Sequence, residues 1–279
     1  MSAYLLGQSI DEQERLMMQA RILRPYTESF FRQADLNHGM SVLDVGSGVG
    51  DVALLAADIV GSRGRVLGLD RDDVSLEHAQ RRVIEQGCSS WVSFQTTPLD
   101  SFETDQQFDA IVGRYVMLYQ PDPAATLRHF TRFLKPGGIV VFHEVDFTCP
   151  VLTSPKCDFV DQVLWLVPEV FRRANIPPDF GRYLPQLFLD SNLPWPHLAA
   201  EIPVGCGPGS PLHSWIASTV QTIAPRLSSL GIEIPQGVMI DDTLASKLEA
   251  ACVEARSLLT ASIQYGAWAR KPASLKATS

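Results

Sequence analysis

The sequence predicts an α/β fold, a doubly wound and mostly parallel sheet covered by helices on both faces. Three observations carry this prediction. Short β-rich runs alternate with helical patterns between residues 41 and 144. The β-rich runs are continuously apolar, as strands buried on both faces are. The first of them passes directly into a glycine turn, Gly46-Ser47-Gly48-Val49-Gly50, that opens a helix. Strand–helix alternation requires right-handed crossovers, which place the strands parallel.

The elements follow in order. Ser9-Ile10-Asp11-Glu12 fits a capping box, and Leu16, Met17, Ala20 and Leu23 continue at helical spacing, which predicts a helix from about residue 10. Pro25 is expected to break or restart it, with Phe30, Phe31 and Ala34 marking a second helix that ends near Asn37-His38-Gly39. Strands are predicted at 41–45, 65–70, 91–95, 108–113 and 138–144, with helices at 51–60, 73–86 and 122–134 between them. Glycines at 61 and 64, Gly87 and Pro136-Gly137-Gly138 supply the helix stops. Helices at 157–175 and 181–190 come next, then a strand at 197–204, a Gly-rich linker at 205–209, helices at 212–229 and 242–257, and a last strand at 259–269. This divides the chain into a helical lid (1–40), a core (41–204 with 259–271) and a helical cap (205–258).

Composition narrows the function. The chain has 279 residues, 46% hydrophobic and 19% charged, enough to bury a core without a disulfide or a structural metal. Its 23 basic against 31 acidic residues give a net charge of −8, so there is no basic surplus to neutralise nucleic-acid phosphates or anionic lipid. The five cysteines, at 88, 149, 157, 206 and 252, are scattered and form no C-x-x-C pair, which argues against zinc, iron–sulfur and disulfide frameworks. No metal site is expected. Residues 1–8 are too short and too polar for a signal peptide, and no apolar stretch reaches the roughly 18 residues of a membrane span. The expected location is the cytoplasm, with no membrane and no nucleic acid as partner.

The strongest functional signal is Val42-Leu43-Asp44-Val45-Gly46-Ser47-Gly48-Val49-Gly50, a buried strand leading into a glycine loop and a helix. Glycines let backbone approach a ligand closely, and the helix N-terminus favours negative charge. The pyrophosphate fingerprint G-x-G-x-x-G needs glycine where this chain has Asp51, whose carboxylate would repel a diphosphate. Asp70 ends the second strand run, where a carboxylate can accept both hydroxyls of a ribose or, alternatively, cap the next helix.

These residues resemble the class I S-adenosylmethionine-dependent methyltransferases of the small-molecule type that serves natural-product and quinone biosynthesis. The resemblance covers roughly residues 41–146 and extends to Phe108–Gly113, to Arg114-Tyr115-Val116-Met117-Leu118-Tyr119 and to Leu134-Lys135-Pro136-Gly137-Gly138. It implies a Rossmann-like sheet with an antiparallel last strand and S-adenosylmethionine as cofactor. It places Asp44, Gly46, Ser47, Gly48 and Gly50 around the methionine and ribose portion, Asp70 on the ribose and Arg71 beside the adenine. Where relatives carry Gly-Asp after the third strand this chain has Thr97-Pro98-Leu99-Asp100, so Leu99 and Asp100 are displaced candidates for the adenine, or a solvated loop. Arg114 is a candidate for the cofactor carboxylate, by side chain or backbone alone, or for a surface salt bridge.

Methyl transfer needs an aligned nucleophile and excluded water, and a base only when the acceptor is protonated. His143 and Glu144 are the candidate catalytic residues at the end of the fifth strand run, with Asp146 nearby. As strand neighbours His143 and Glu144 point to opposite faces and cannot both reach one substrate without a bend. Tyr26, Tyr115 and Tyr119 are the candidate acceptor contacts, with Tyr4, Phe30 and Trp215 as further lid or core aromatics and Arg24 above the cofactor in relatives that use this preface as a lid. The expected function is methylation of a small, largely apolar acceptor at O, N or C. A nucleotide-dependent reductase and a non-catalytic methyltransferase-like subunit are the alternatives. A homodimer or higher homo-oligomer is expected.

Overall fold

The computed structural model describes residues 10–148 and 152–273, with side chains from Arg15 onward. The Ser9 cap, Tyr4, Cys149 and the C-terminal tail lie outside the described residues. The predicted α/β architecture is present. Strands β1 (Ser41–Val45), β2 (Arg65–Asp70), β3 (Val92–Thr96), β4 (Phe108–Arg114), β5 (Leu134–Asp146), β7 (His197–Glu201) and β10 (Ile263–Arg270) form a seven-stranded sheet in the order β3-β2-β1-β4-β5-β10-β7. The first five are parallel, and β10 runs antiparallel to both β5 and β7. Order reverses between β1 and β4, which puts a ligand crevice at their carboxyl ends.

Side-chain alternation along the strands feeds two apolar clusters. Val42, Ala110, Val112, Ile139 and Val141 pack with Phe30 and Phe31 of α1 (Ile10–Gln33) and with Ala53, Leu54 and Val60 of α2 (Asp51–Val60). Leu43, Val45, Ile111, Val140 and Phe142 join a larger cluster with α4 (Pro123–Thr131), α5 (Asp158–Arg173), α6 (Leu184–Asp190), α7 (Pro211–Leu227) and α8 (Leu244–Glu254). Between β2 and β3 runs α3 (Asp73–Glu85), capped by Asp72, whose side chain accepts from the Ser75 N–H. The stretch 205–258 holds α7 and α8, and α5 packs against both.

Four departures from the sequence reading have physical causes. Pro25 does not break the first helix: α1 runs 24 residues straight through it. Proline removes the hydrogen bond to the carbonyl of Arg21, but Arg21 and Pro25 are on the exposed side, where water satisfies that carbonyl. The fifth strand starts earlier than expected because Pro136-Gly137-Gly138 forms an irregularity within it; pairing jumps from Phe108–Leu134 to Ala110–Ile139, and Gly137 takes φ 76°. The last strand is split into β9 (Leu258–Thr260) and β10, and β9 pairs with β6 (Thr153–Ser154) and β8 (Val204–Cys206) in a second, three-stranded sheet. The linker at 205–209 therefore begins as strand.

Candidate functional site

The glycine loop joins β1 to α2 with left-handed backbone at Gly46 (φ 71°), Gly48 (φ 50°) and Gly50 (φ 84°). A Cβ on Gly46 would lie 2.6 Å from Val116 Cγ2, so the loop is pressed against the turn that follows β4. A Cβ on Gly48 would meet nothing within 4 Å, so that part of the loop faces open space. Gly50 occupies the N-cap of α2 and offers no side-chain cap, and the Ala53 N–H of the first turn faces the buried Asp44 carboxyl.

Asp70, at the carboxyl end of β2, closes the loop from the side: its Oδ2 accepts the Gly48 N–H at 2.8 Å and its Oδ1 the Asp72 N–H at 3.0 Å. Each oxygen retains a further lone pair. Asp44 is fully buried beneath the loop with both carboxylate oxygens lacking a hydrogen-bond partner among the described residues. Burial pushes its pKa up to about 8, against the pull of Arg114 and with a further push from Asp70. Ser47 Oγ is likewise buried without a partner. Arg71 is exposed just beyond β2. Leu99 is half-buried in a short turn after β3, while Asp100 beside it is exposed and accepts from Ser101 Oγ.

Asp51, the residue that breaks the pyrophosphate fingerprint, is neutralised from two sides, by Arg82 Nη1 at 2.6 Å and Arg114 Nη2 at 3.7 Å. Arg82 also donates to the Val49 carbonyl at 2.7 Å, tying α3 to the loop. Arg114 is thus largely buried and paired within the fold rather than in a surface bridge. Its Nη1 donates to Thr27 Oγ1 at 3.2 Å, which opens a buried polar chain. Thr27 meets His143 Nδ1 at 3.0 Å, and His143 Nε2 meets Gln264 Oε1 at 2.9 Å. Gln264 Nε2 donates to the Ser262 carbonyl, which turns Oε1 toward both His143 and the Tyr115 hydroxyl. With Oε1 as acceptor, His143 donates through Nε2 and presents Nδ1 as an acceptor to the Thr27 hydroxyl, whose single proton is shared between this nitrogen and the Leu23 carbonyl at 3.1 Å.

Both candidate catalytic residues are fully buried, and neither is among the residues lining the two cavities described below. Burial, with the nearby Arg114 charge, lowers the His143 pKa to about 3, so the ring stays neutral and its one lone pair is already taken. Glu144 points to the opposite face, where its Oε1 accepts the N–H groups of Val116 at 3.1 Å and Met117 at 2.8 Å. Burial raises its pKa to about 8, and the N–H groups of Met117 and Val116 oppose the shift. Asp146 accepts from Thr148 and pairs with Arg182 at 2.6 Å.

Two adjoining cavities open beside the β4 terminus. The first is lined by Gln19, Tyr115, Leu118, Tyr119, Phe147 and Phe171, with Val145, Trp215 and Thr219. The second runs between α5 and α7, lined by Leu164, Val167, Pro168 and Ile216 among others. Phe147, Trp215 and Thr219 belong to both. Tyr115 sits at φ 55°, a strained value for a non-glycine residue, immediately after β4.

Tyr26, expected at the acceptor, packs between the two apolar clusters with Glu201 nearby and lines neither cavity. Arg24 is exposed and pairs with Asp58 of α2 at 2.6 Å. The α1 residue facing the cavity is instead Gln19, held by buried Arg15 at 2.9 Å. A sequence signal existed: Arg15, Gln19, Leu23 and Thr27 repeat every fourth residue, placing polar groups on the stripe that buries Leu23. Phe147, Trp215 and Gln264 carry no such mark.

Residues 36–164 match a family described as a methyltransferase domain. The chain is 27% identical over 169 residues to the ubiquinone/menaquinone biosynthesis C-methyltransferase UbiE of Coxiella burnetii, covering 60% of this chain and 67% of that protein. It is 33% identical over 132 residues to the 2-phytyl-1,4-naphtoquinone methyltransferase of Synechococcus elongatus, covering 47% of this chain and 56% of the relative. The crystal structure of Haemonchus contortus phosphoethanolamine N-methyltransferase 2, solved with phosphomonomethylethanolamine and S-adenosylhomocysteine, shares the fold at TM-score 0.54 and 16% identity, over 89% of this chain and 52% of that one.

Proposed function

We propose that the chain is a class I S-adenosylmethionine-dependent methyltransferase that methylates a small, largely apolar metabolite at oxygen, nitrogen or carbon, a reading supported by the methyltransferase-domain match over residues 36–164. The observation that carries the proposal is the pair of largely apolar cavities that begins at Tyr115, one residue from the Val116 side chain on which Gly46 rests. Donor loop and acceptor cavity are thereby neighbours. The names of the quinone-biosynthesis relatives support an acceptor of this kind.

The loop fits the cofactor: open space at Gly48, a helix N-terminus with no N-cap side chain in the way, and the buried polar groups of Asp44 and Ser47 provide close approach and polar contacts for an uncharged nucleoside and its amino-acid arm. When bound, S-adenosylmethionine supplies a sulfonium carbon open to in-line displacement. Asp70 receives the ribose hydroxyls, Leu99 and Asp100 flank the adenine with Arg71 at its rim, and Arg114 braces the loop through Asp51. Tyr115, Tyr119 and Gln19 orient the acceptor, and the cap of α5 and α7 excludes water. Burial raises the Tyr115 pKa, so its hydroxyl stays protonated, donating to Gln264 and leaving its oxygen to accept from the substrate. His143 and Glu144 act as positioning residues: one holds Gln264 and Thr27, the other the Val116–Met117 turn.

The net charge of −8 favours a small molecule over RNA or DNA as acceptor. Buried free thiols at Cys88, Cys157 and Cys252 support a reducing cytoplasm. No helix among the described residues is long and apolar enough to cross a membrane. Exposed Trp195, Leu198 and Val204 beside edge strand β7 support a homo-oligomer.

The test is transfer of labelled methyl from S-adenosylmethionine to a panel of phenols, quinols and polycyclic hydroxyketones, read together with S-adenosylhomocysteine formation. Label in at least one acceptor is expected. Cofactor binding with no transfer across the panel would leave a binding subunit in place of an enzyme.

A further inference from the structure

The junction between the two cavities is formed by Phe147, Trp215 and Thr219. Phe147 has no polar atom in its side chain, and the Thr219 hydroxyl is spent on the Trp215 carbonyl at 2.8 Å. Trp215 itself is only 7% exposed, and its indole Nε1 is buried with no hydrogen-bond partner among the described residues. A buried N–H without a partner is costly, and an indole N–H can only donate. No lining residue of either cavity is charged, so an ionised acceptor would lose its hydration without compensation. The end at Gln19, Tyr115 and Tyr119 is polar, whereas the end at Leu164, Val167, Pro168 and Ile216 is apolar.

We propose that the Trp215 N–H is a specificity contact that donates to an oxygen of the acceptor, so that the pocket takes neutral ring compounds oxygenated at two places. A hydroxyl lies beside Tyr115, and a carbonyl-type oxygen lies against Trp215 on the otherwise apolar body. Plain aromatic alcohols, which leave the indole N–H unpaired, bind less well. The inference rests on the methyltransferase reading and deepens it by naming what the acceptor must carry.

The probes are a hydroxytetralone, with phenol and ketone on different rings, and the tetrahydronaphthol that lacks only the ketone. Each is titrated calorimetrically into wild type and Trp215→Phe in the presence of S-adenosylhomocysteine, whose own binding is measured first. Wild type is expected to bind the hydroxytetralone roughly five- to tenfold more tightly than the tetrahydronaphthol. Trp215→Phe, which keeps the ring and loses the N–H, is expected to bind both as wild type binds the tetrahydronaphthol. Equal affinities in wild type, a preference that persists in Trp215→Phe, or loss of the tetrahydronaphthol in that variant overturns the proposal, as does failure of both probes to bind. Failure of S-adenosylhomocysteine to bind is a different result, since it removes the methyltransferase reading itself.

Discussion

His143 is a neutral ring locked between a donor and an acceptor, and its effect on stability follows from linkage. The unfolded ring titrates near 6.5 and the folded one near 3, so between these values the unfolded chain binds the extra proton and stability falls as pH falls. Glu144 has the opposite sign: its folded pKa of about 8 exceeds the ordinary 4.5, so its contribution is full below that ordinary value and is lost as pH rises through 8. In urea denaturation of the unliganded protein, His143→Gln should flatten the acid limb and Glu144→Gln the limb between pH 4.5 and 8. An unchanged slope in either variant would mean that the group is hydrated in the native state. The glycine loop separates stability from binding in the same way. Gly46→Ala meets both a left-handed φ and the Val116 side chain, and should cost about 2–4 kcal/mol in denaturation. Gly48→Ala meets only the backbone penalty of about 1 kcal/mol, but its methyl enters the open space and should weaken S-adenosylhomocysteine binding. The glycine loop and Asp70 were legible in the sequence because they lie in one strand–loop–helix unit or at the next strand's end. The chain Arg114–Thr27–His143–Gln264 was not, because its members come from four elements and meet only after folding.

At the scale of elements, α1 is a structural wall of the molecule. Phe30 packs edge-on to His143 at 5.1 Å, and a Cβ on Gly266 of β10 would lie 2.3 Å from the Phe30 ring. Gly266→Ala should therefore cost about 1–3 kcal/mol by overpacking, and Phe30→Leu in that background should recover part of the loss, read from denaturant midpoints. Additive losses would show that the two positions do not meet. The five parallel strands were legible because continuous apolar runs between glycine stops have few alternative readings. The break at Pro25 was misplaced because sequence alone does not show that this proline falls on the solvent side. The second sheet escaped detection because β6 and β9 are two and three residues long, too short for any periodicity.

For the whole molecule, sheet order sets the site. The reversal between β1 and β4 brings Gly46 against Val116, and the antiparallel return through β10 delivers Gln264 to His143 and Tyr115 beneath the cavity. On the proposed function the cap of α5, α7 and α8 selects the acceptor; the sequence reading placed α7 and α8 in a helical insertion at 205–258 and left α5 in the core. On the proposed function, the cleft at the glycine loop holds S-adenosylmethionine rather than a dinucleotide. Calorimetric titration of S-adenosylhomocysteine and NADH into wild type and Asp70→Ala tests it most directly. Binding of S-adenosylhomocysteine, weakened at least about tenfold in Asp70→Ala, with no binding of NADH, is the predicted result. Binding of NADH without S-adenosylhomocysteine would contradict it.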